Sequence, residues 1–319
     1  MASKSIFRFF PGGSRIEYFL LRSLAWVVNG LPVESATWLA AQIGDLLYGL
    51  LSKRRKTTLE NLEKAFPGPD QAAQRNKIAR EVFRSFSISL MEFFRIPAML
   101  REASKRFVFE GTEVLDAAFA KKKGVILVIS HIGSWEYLAF LPYLRGYPCS
   151  VIVRETRNPY IFKWIQDLRN QTGLHPIHRH KSVKEILREL KANHLVAILI
   201  DQWAGPSGLW MDFFGHPTST TSIPARLAEK TGAALVPAFC LRTDTGHYKI
   251  VIRPEVPLVH AESSEERERK TTEQLNQMLE EEIRRWPGQW AWGHRRWKSL
   301  ARYSAALAAE GVRPPQKHF

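Results

Sequence analysis

Apolar positions follow two patterns along the chain. Residues 124–130 (GVILVIS) and 195–200 (LVAILI) are continuous apolar runs rich in β-branched side chains. That is the pattern of a parallel strand covered on both faces. Residues 149–154 (CSVIVR) and 234–241 (ALVPAFCL) read as further strands, 107–109 as a short one, and 248–252 as an alternating edge strand. The second pattern has a helical period. Between residues 71 and 96 the apolar stripe is Ile78, Val82, Phe83, Phe86, Leu90, Phe93 and Phe94. Helices are also predicted over 57–66, 135–144, 158–172, 182–193, 223–231 and 264–286, the last closed by Pro287-Gly288. Strands alternating with helices predict an α/β layered fold with a mainly parallel central sheet.

The amino-terminal pattern differs. Residues 16–29 (IEYFLLRSLAWVVN) are apolar but interrupted by Glu17 and Arg22. They fall short of the roughly 20 apolar residues that cross a bilayer core. After Leu31-Pro32, residues 33–51 place Trp38, Leu39, Ile43, Leu46, Leu47 and Leu50 at helical spacing, and Lys53-Arg54-Arg55-Lys56 follow. Two apolar helices closed by four cations predict a membrane element lying in the interface, with the cations among anionic head groups. A single tilted span across residues 16–51 is the alternative, and an ordinary pair of core helices the plainer one. Without a small-residue cleavage site, a secreted signal peptide is not expected.

Composition narrows the partners. The 319-residue chain carries 46 Lys plus Arg against 31 Asp plus Glu, a net charge of +15. This excess suits an anionic lipid, a phosphorylated substrate or an acidic carrier protein. The charge is dispersed and no nucleic-acid-binding motif is present, so nucleic acid is not an expected partner. Cys149 and Cys240 are too few for a disulfide framework or a cysteine metal site and read as buried thiols of a reducing compartment.

The sharpest chemical signal follows the 124–130 strand: Ser130-His131-Ile132-Gly133-Ser134-Trp135-Glu136. Ligands of α/β sheets gather outside the carboxyl ends of strands. His131 and Glu136 would point about 140° apart on one continuous helix, because each residue turns about 100°. They can meet only if a helix starts between them. Gly133 and a Ser134 cap supply that break, and Glu136 could then reach back to the imidazole. A carboxylate-oriented histidine is a candidate general base, and a strand-end structural histidine is the plain alternative. No G-x-S-x-G elbow is present to supply a nucleophile.

Other residues join the candidate rim. Arg154, read as ending the strand beside that of His131, could hold a phosphate or an oxyanion, with Arg157 and Asn158 following. Asp201-Gln202 end the 195–200 strand; Asp201 is either a second partner of His131, a sugar contact or a cap. Thr218–Thr221 before Pro224, Thr220 among them, could bind phosphate or cap a helix. Trp286, Trp290, Trp292 and Trp297, interleaved with His294, Arg295, Arg296 and Lys298, could form an interfacial belt with phosphate-binding cations, an aromatic core cluster, or both. His175, His178 and His180 lack a completing carboxylate or thiolate and sit among cations, so they read as a basic loop; no metal is expected.

H-x-x-x-x-E after an apolar strand resembles the H-x-x-x-x-D/E signature of glycerolipid acyltransferases. Further stretches narrow the likeness: NLEKAFP (61–67), RETRNP (154–159), LIDQWAG (199–205), FFGHPTSTTSIP (213–224) with the LAEKTGA that follows, and WPGQWAWGHRRWK (286–298). In this order, across about residues 16–300, they resemble the lipid A late acyltransferases of lauroyl and myristoyl type, with phosphatidylinositol mannoside acyltransferases as relatives. Glu136 stands where some members carry Asp. The resemblance implies a glycerolipid-acyltransferase-like fold and transfer of an acyl chain from a thioester on acyl carrier protein to a glycolipid hydroxyl. It implies work at the cytoplasmic face of the inner membrane, with no metal or cofactor. His131 and Glu136 would be the catalytic pair, with Asp201 assisting. Arg154, Arg157, Asn158, Gln202, Thr220, Arg295 and Arg296 would contact the anionic acceptor. The expected organisation is a membrane-associated helical segment at 1–66, an acyltransferase domain at 67–300 and a tail at 301–319. Acylation of phosphatidylinositol mannosides from acyl-CoA is the runner-up, and a non-catalytic glycolipid-binding protein the alternative of another class.

Overall fold

The computed structural model describes residues 13–153, 156–178 and 182–298. In chain order the helices are α1 (Gly13–Gly30), α2 (Val33–Leu50), α3 (Ser52–Ala65), α4 (Ala72–Phe94), α5 (Ile96–Leu100), α6 (Ala103–Arg106), α7 (Thr112–Ala120), α8 (Phe140–Arg145), α9 (Pro159–Asn170), α10 (Ser182–Lys191), α11 (Ile223–Thr231) and α12 (Ser264–Arg285). The strands are β1 (Phe107–Glu110), β2 (Val125–Ile129), β3 (Cys149–Val153), β4 (Leu174–His178), β5 (Leu195–Leu199), β6 (Leu209–Phe213), β7 (His216–Thr220), β8 (Ala234–Asp244) and β9 (His247–Ile252).

The seven-stranded sheet runs β1-β9-β8-β2-β5-β3-β4. β2 lies at its centre, parallel to β5 in the register Val125↔Leu195 to Ile129↔Leu199 and parallel to β8 from Val125↔Ala234. Every residue of β2 is buried. Val125, Leu127 and Ile129 enter one core with Phe107, Tyr137, Phe140 and Trp164. Ile126 and Val128 enter the other with Leu62, Leu275, Ile283, Trp290 and Trp292. A strand covered on both faces has no polar side to show, which is why it reads as an unbroken apolar run.

Four details differ from the sequence pattern. β9 is an interior strand, antiparallel to β8 and parallel to β1, with one half-exposed position among the buried ones of its central stretch. The first two histidines of H-x-x-H-x-H lie in β4, parallel to β3, whereas Arg179, His180 and Lys181 lie outside the described residues. β3 borders β5 and β4, so a whole strand separates it from β2. Residues 218–220 belong to β7, whose hairpin with β6 forms a separate two-stranded sheet, rather than to a helix start.

The amino-terminal helices pack on the body. Gly44 of α2 lies so close to α4 that a Cβ there would stand 2.6 Å from the Arg84 Cα. Asp45 accepts from Arg84 at 2.5 and 2.7 Å and from Arg80 at 2.7 Å. Buried Arg95 donates to the carbonyls of Val28 and Leu31 at the end of α1. Asn61 of α3 donates to the carbonyls of Trp292 and His294, both at 2.8 Å. The outer faces remain apolar. Phe19, Leu20, Leu24, Trp26 and Val27 of α1, and Trp38, Ile43, Leu46 and Leu50 of α2, are exposed, Trp26 to 80%. Among the described residues no helix is long and apolar enough to cross a membrane, so the single-span alternative has no helix to carry it.

Candidate active site

His131 sits just past the carboxyl end of β2, and Asp201 just past that of its neighbour β5. The register Ile129↔Leu199 brings these two exits side by side. One Asp201 oxygen lies 2.9 Å from His131 Nδ1, and the other accepts the His131 backbone N–H at 2.9 Å. Trp290 Nε1 donates to that second oxygen at 2.9 Å. Asp201 is 2% exposed and its two oxygens take three contacts.

These contacts fix the protonation states. Burial pushes Asp201 up, but the charge and hydrogen bonds of His131 and the Trp290 indole outweigh it and hold the carboxyl down at about 2. An ionised carboxylate can only accept, so the proton between the pair sits on Nδ1 and the Nε2 lone pair points away. Burial pulls His131 down; the Asp201 charge and hydrogen bond, with the Glu136 charge, more than offset it and leave its pKa raised. The Gln202 amide nitrogen stands 3.3 Å from Nε2, and the Trp135 ring meets the imidazole edge-on at 5.2 Å. Above that raised pKa, in its neutral form, the imidazole can take a proton at Nε2 and share the resulting charge with Asp201.

Glu136 is engaged elsewhere. A 3-10 turn over Trp135–Ala139 directs it toward α9, where Arg169 grips its two oxygens at 2.7 and 3.1 Å. Its influence on His131 is through charge, not through the direct contact expected from the motif. Arg169 carried no signal in the sequence, being 33 positions away. Ser134 makes no cap hydrogen bond; its hydroxyl donates to Glu92. Gly133 has φ +63°, and a Cβ there would stand 2.1 Å from the Cys240 carbonyl oxygen, so the turn after His131 requires glycine.

The anion-binding candidates divide. Arg157 and Arg295 are exposed. Asn158 caps α9, accepting from the amides of Tyr160 and Ile161, and donates to the Ser14 carbonyl and Glu17. Arg154 lies outside the described residues. Arg296 is fully buried and donates to the Gln202 and Ser219 carbonyls and to Thr220 Oγ1, while its guanidinium covers Phe213 at 5.0 Å. Arg296 and Thr220 are therefore spent on holding the loop after β5 to β7, not open to a phosphate. Desolvation lowers even this guanidinium to about 10. Trp290 and Trp292 are buried in the core and Trp286 and Trp297 pack against it, so these rings are core rather than a membrane belt. Among the described residues no three His, Cys, Asp or Glu side chains gather as a metal site.

The model of the bacterial lipid A biosynthesis acyltransferase family matches residues 14–299. The chain belongs to that family. It is an acyltransferase. It is 28% identical to the lipid A biosynthesis palmitoleoyltransferase of Escherichia coli strain K12 over 283 residues, 86% of this chain and 88% of that one. It is 27% identical to the lipid A biosynthesis lauroyltransferase of the same strain, over 86% and 89% of the two chains. A phosphatidylinositol mannoside acyltransferase of Mycobacterium tuberculosis is 30% identical over 156 residues, 47% of this chain and 49% of that one. An acyltransferase of this family thus has an imidazole–carboxylate dyad formed from the exits of two neighbouring parallel strands.

Proposed function

We propose that the protein transfers a fatty acyl chain from acyl carrier protein to a hydroxyl of a lipid A precursor or closely related glycolipid, at the cytoplasmic face of the inner membrane. The observation that carries the reading is the buried Asp201 carboxylate on His131 Nδ1, which leaves Nε2 on the far side of the ring, facing the Gln202 amide. The acceptor hydroxyl replaces the Gln202 amide at Nε2. As its oxygen attacks the thioester carbonyl carbon, its proton passes to Nε2 and Asp201 stabilises the imidazolium. The tetrahedral intermediate then collapses, the C–S bond breaks, and the leaving thiolate takes the proton from Nε2. No covalent acyl-enzyme forms and no cofactor takes part. Both candidate thiols are buried, Cys149 is pushed up to about 12 by desolvation, and Cys240 is raised likewise. Neither is a thiolate near neutral pH.

The net charge of +15 favours both an acidic carrier protein and a phosphorylated acceptor. Arg157 and Arg295, exposed, and Arg154 are the proposed phosphate contacts. The exposed apolar faces of α1 and α2, followed by Lys53, Arg54, Arg55 and Lys56 on α3, favour seating in the membrane surface. A lipid A acceptor is preferred over a mannosylated phosphoinositide because the lipid A relatives match over 86% of this chain and the mannoside relative over 47%. The experiment is mass spectrometry of the glycolipids of cells with and without the gene. Loss of one acyl chain from lipid A is expected; a change confined to phosphatidylinositol mannosides would overturn the choice of acceptor.

A further inference from the structure

Around the Gly133-Ser134 turn that follows His131 lies a charged cluster that the reaction above does not use. Arg242 Nη1, on β8, donates to Glu92 at 2.8 Å, to Ser134 Oγ at 2.9 Å and to Ser89 Oγ at 3.0 Å. Its Nη2 donates to the carbonyl and hydroxyl of Ser85. The Ser134 hydroxyl donates to the same Glu92 oxygen at 2.7 Å, and the Ser89 hydroxyl to the Gly133 carbonyl at 2.9 Å. The Arg242 and Glu92 side chains are 11% and 6% exposed. The backbone completes the grip. Ser134 N–H donates to the Cys240 carbonyl and Gly133 N–H to the Gln289 carbonyl. The Gln289 side chain is in turn bonded at both ends to the Arg242 backbone.

A buried ion pair is a weak source of stability, because desolvating two charges offsets most of their attraction. Its value is better sought in what it positions. The side-chain hydrogen bonds of Arg242 end on Ser134 of the turn or on Ser85, Ser89 and Glu92 of α4, and Glu92 is itself bonded to Ser134. The turn in turn sets where the His131 amide and ring meet Asp201. We infer that Glu92 and Arg242 are positioning residues for catalysis: their ion pair clamps the Gly133-Ser134 turn so that His131 stays registered on Asp201. The inference rests on His131 as the general base.

Two folded variants test it in acyl transfer from acyl carrier protein to purified glycolipid acceptor. Glu92→Gln/Arg242→Met removes both charges together, leaving no lone buried ion. Ser134→Ala keeps the pair and cuts its link to the turn, and tests the idea even where the double variant does not fold. Both should lower kcat at least about fivefold with KM within about twofold, since nothing that touches substrate changes. The acid limb of the kcat–pH profile should also move to lower pH. Among the described residues the charged or titratable groups facing His131 are Asp201, Glu136 and His294, and none is altered, so a shift must come through loosened Asp201 registry. A merely structural cluster would lower the melting temperature and leave kcat and the limb of the folded fraction unchanged; that outcome in Ser134→Ala overturns the inference. His131→Ala, assayed alongside, separates the two readings. If it retains activity the base assignment has failed; if it is inactive while Ser134→Ala matches the parent protein, the clamp alone has failed.

Discussion

Asp201 holds His131 twice, one oxygen on ring Nδ1 and the other on the same residue's backbone N–H, each at 2.9 Å. The ring and its own main chain are thus referred to one buried carboxylate, which sets both the tautomer and the direction of Nε2. An amide cannot do both jobs, because it offers only one oxygen. In Asp201→Asn either the backbone donor loses its acceptor or an NH₂ group faces Nδ1 and forces the other tautomer. Loss of a correctly poised base costs roughly 10²–10⁴-fold, and Asp201→Asn should fall in that range in steady-state transfer. Glu136→Gln leaves the dyad contacts in place and should lose less. A ranking with Glu136→Gln the more damaging would shift the partner role back to Glu136.

The pH profile follows from the same pair. His131 must be neutral to accept a proton, and its pKa is raised because Asp201, with help from Glu136, outweighs burial. Activity should therefore rise with pH through a midpoint above the ordinary value of about 6.5. Removing the Asp201 charge leaves burial in control, so the midpoint of Asp201→Asn should lie below that of the parent protein. An unmoved midpoint would mean that another group governs the limb.

Stability should show a second histidine. His294 is lowered to about 4 by burial, and its Nδ1 has no hydrogen-bond partner among the described residues. Its folded pKa is depressed, so the unfolded chain binds more protons between about 6.5 and 4. The stability from keeping it neutral is present above pH 6.5, about the unfolded value, and is lost as pH falls toward 4. Melting temperature should drop between pH 7 and pH 5, and His294→Gln should drop less over that interval. Parallel curves for the two proteins would exclude His294 as a cause.

Membrane seating should depend on the outer face of α1. Fully burying a large apolar side chain is worth about 1.5–3 kcal/mol. Trp26, 80% exposed, should contribute at least about a tenfold change in partitioning. In sedimentation with vesicles containing anionic phospholipid, Trp26→Ser should bind correspondingly less, and added salt should weaken what remains by screening the Lys53–Lys56 cations. Binding indifferent to both would move the contact to another surface.

The sheet and the histidine were legible in the chain for definite reasons. Buried parallel strands announce themselves as apolar runs; β2 is buried throughout and β5 at all but its half-buried last residue, Leu199. His131 stands at the end of one. Strand order is not local information: nothing in residues 149–154 says that β5 intervenes before β2, so the rim neighbours of His131 could not be read off. Asp201 was visible as a strand-end carboxylate, but only the parallel register of β2 and β5 decides that it, rather than Glu136, meets the imidazole. Glu136 was misdirected by spacing, because the 3-10 turn sends it toward Arg169. Arg296 reads as a phosphate-binding cation because a fully buried arginine is rare; its backbone acceptors come from residues 202 and 219, far away in sequence.

In the proposed reaction His131 acts as the base in direct transfer from thioester to glycolipid hydroxyl. Single-turnover transfer from radiolabelled acyl carrier protein to purified acceptor, with folded parent protein and His131→Ala, tests it most directly. A loss of at least about 100-fold is expected in His131→Ala, with no acylated protein when the parent is incubated with donor alone. A near-normal rate in His131→Ala, or an acyl group trapped on the parent protein without acceptor, would contradict it.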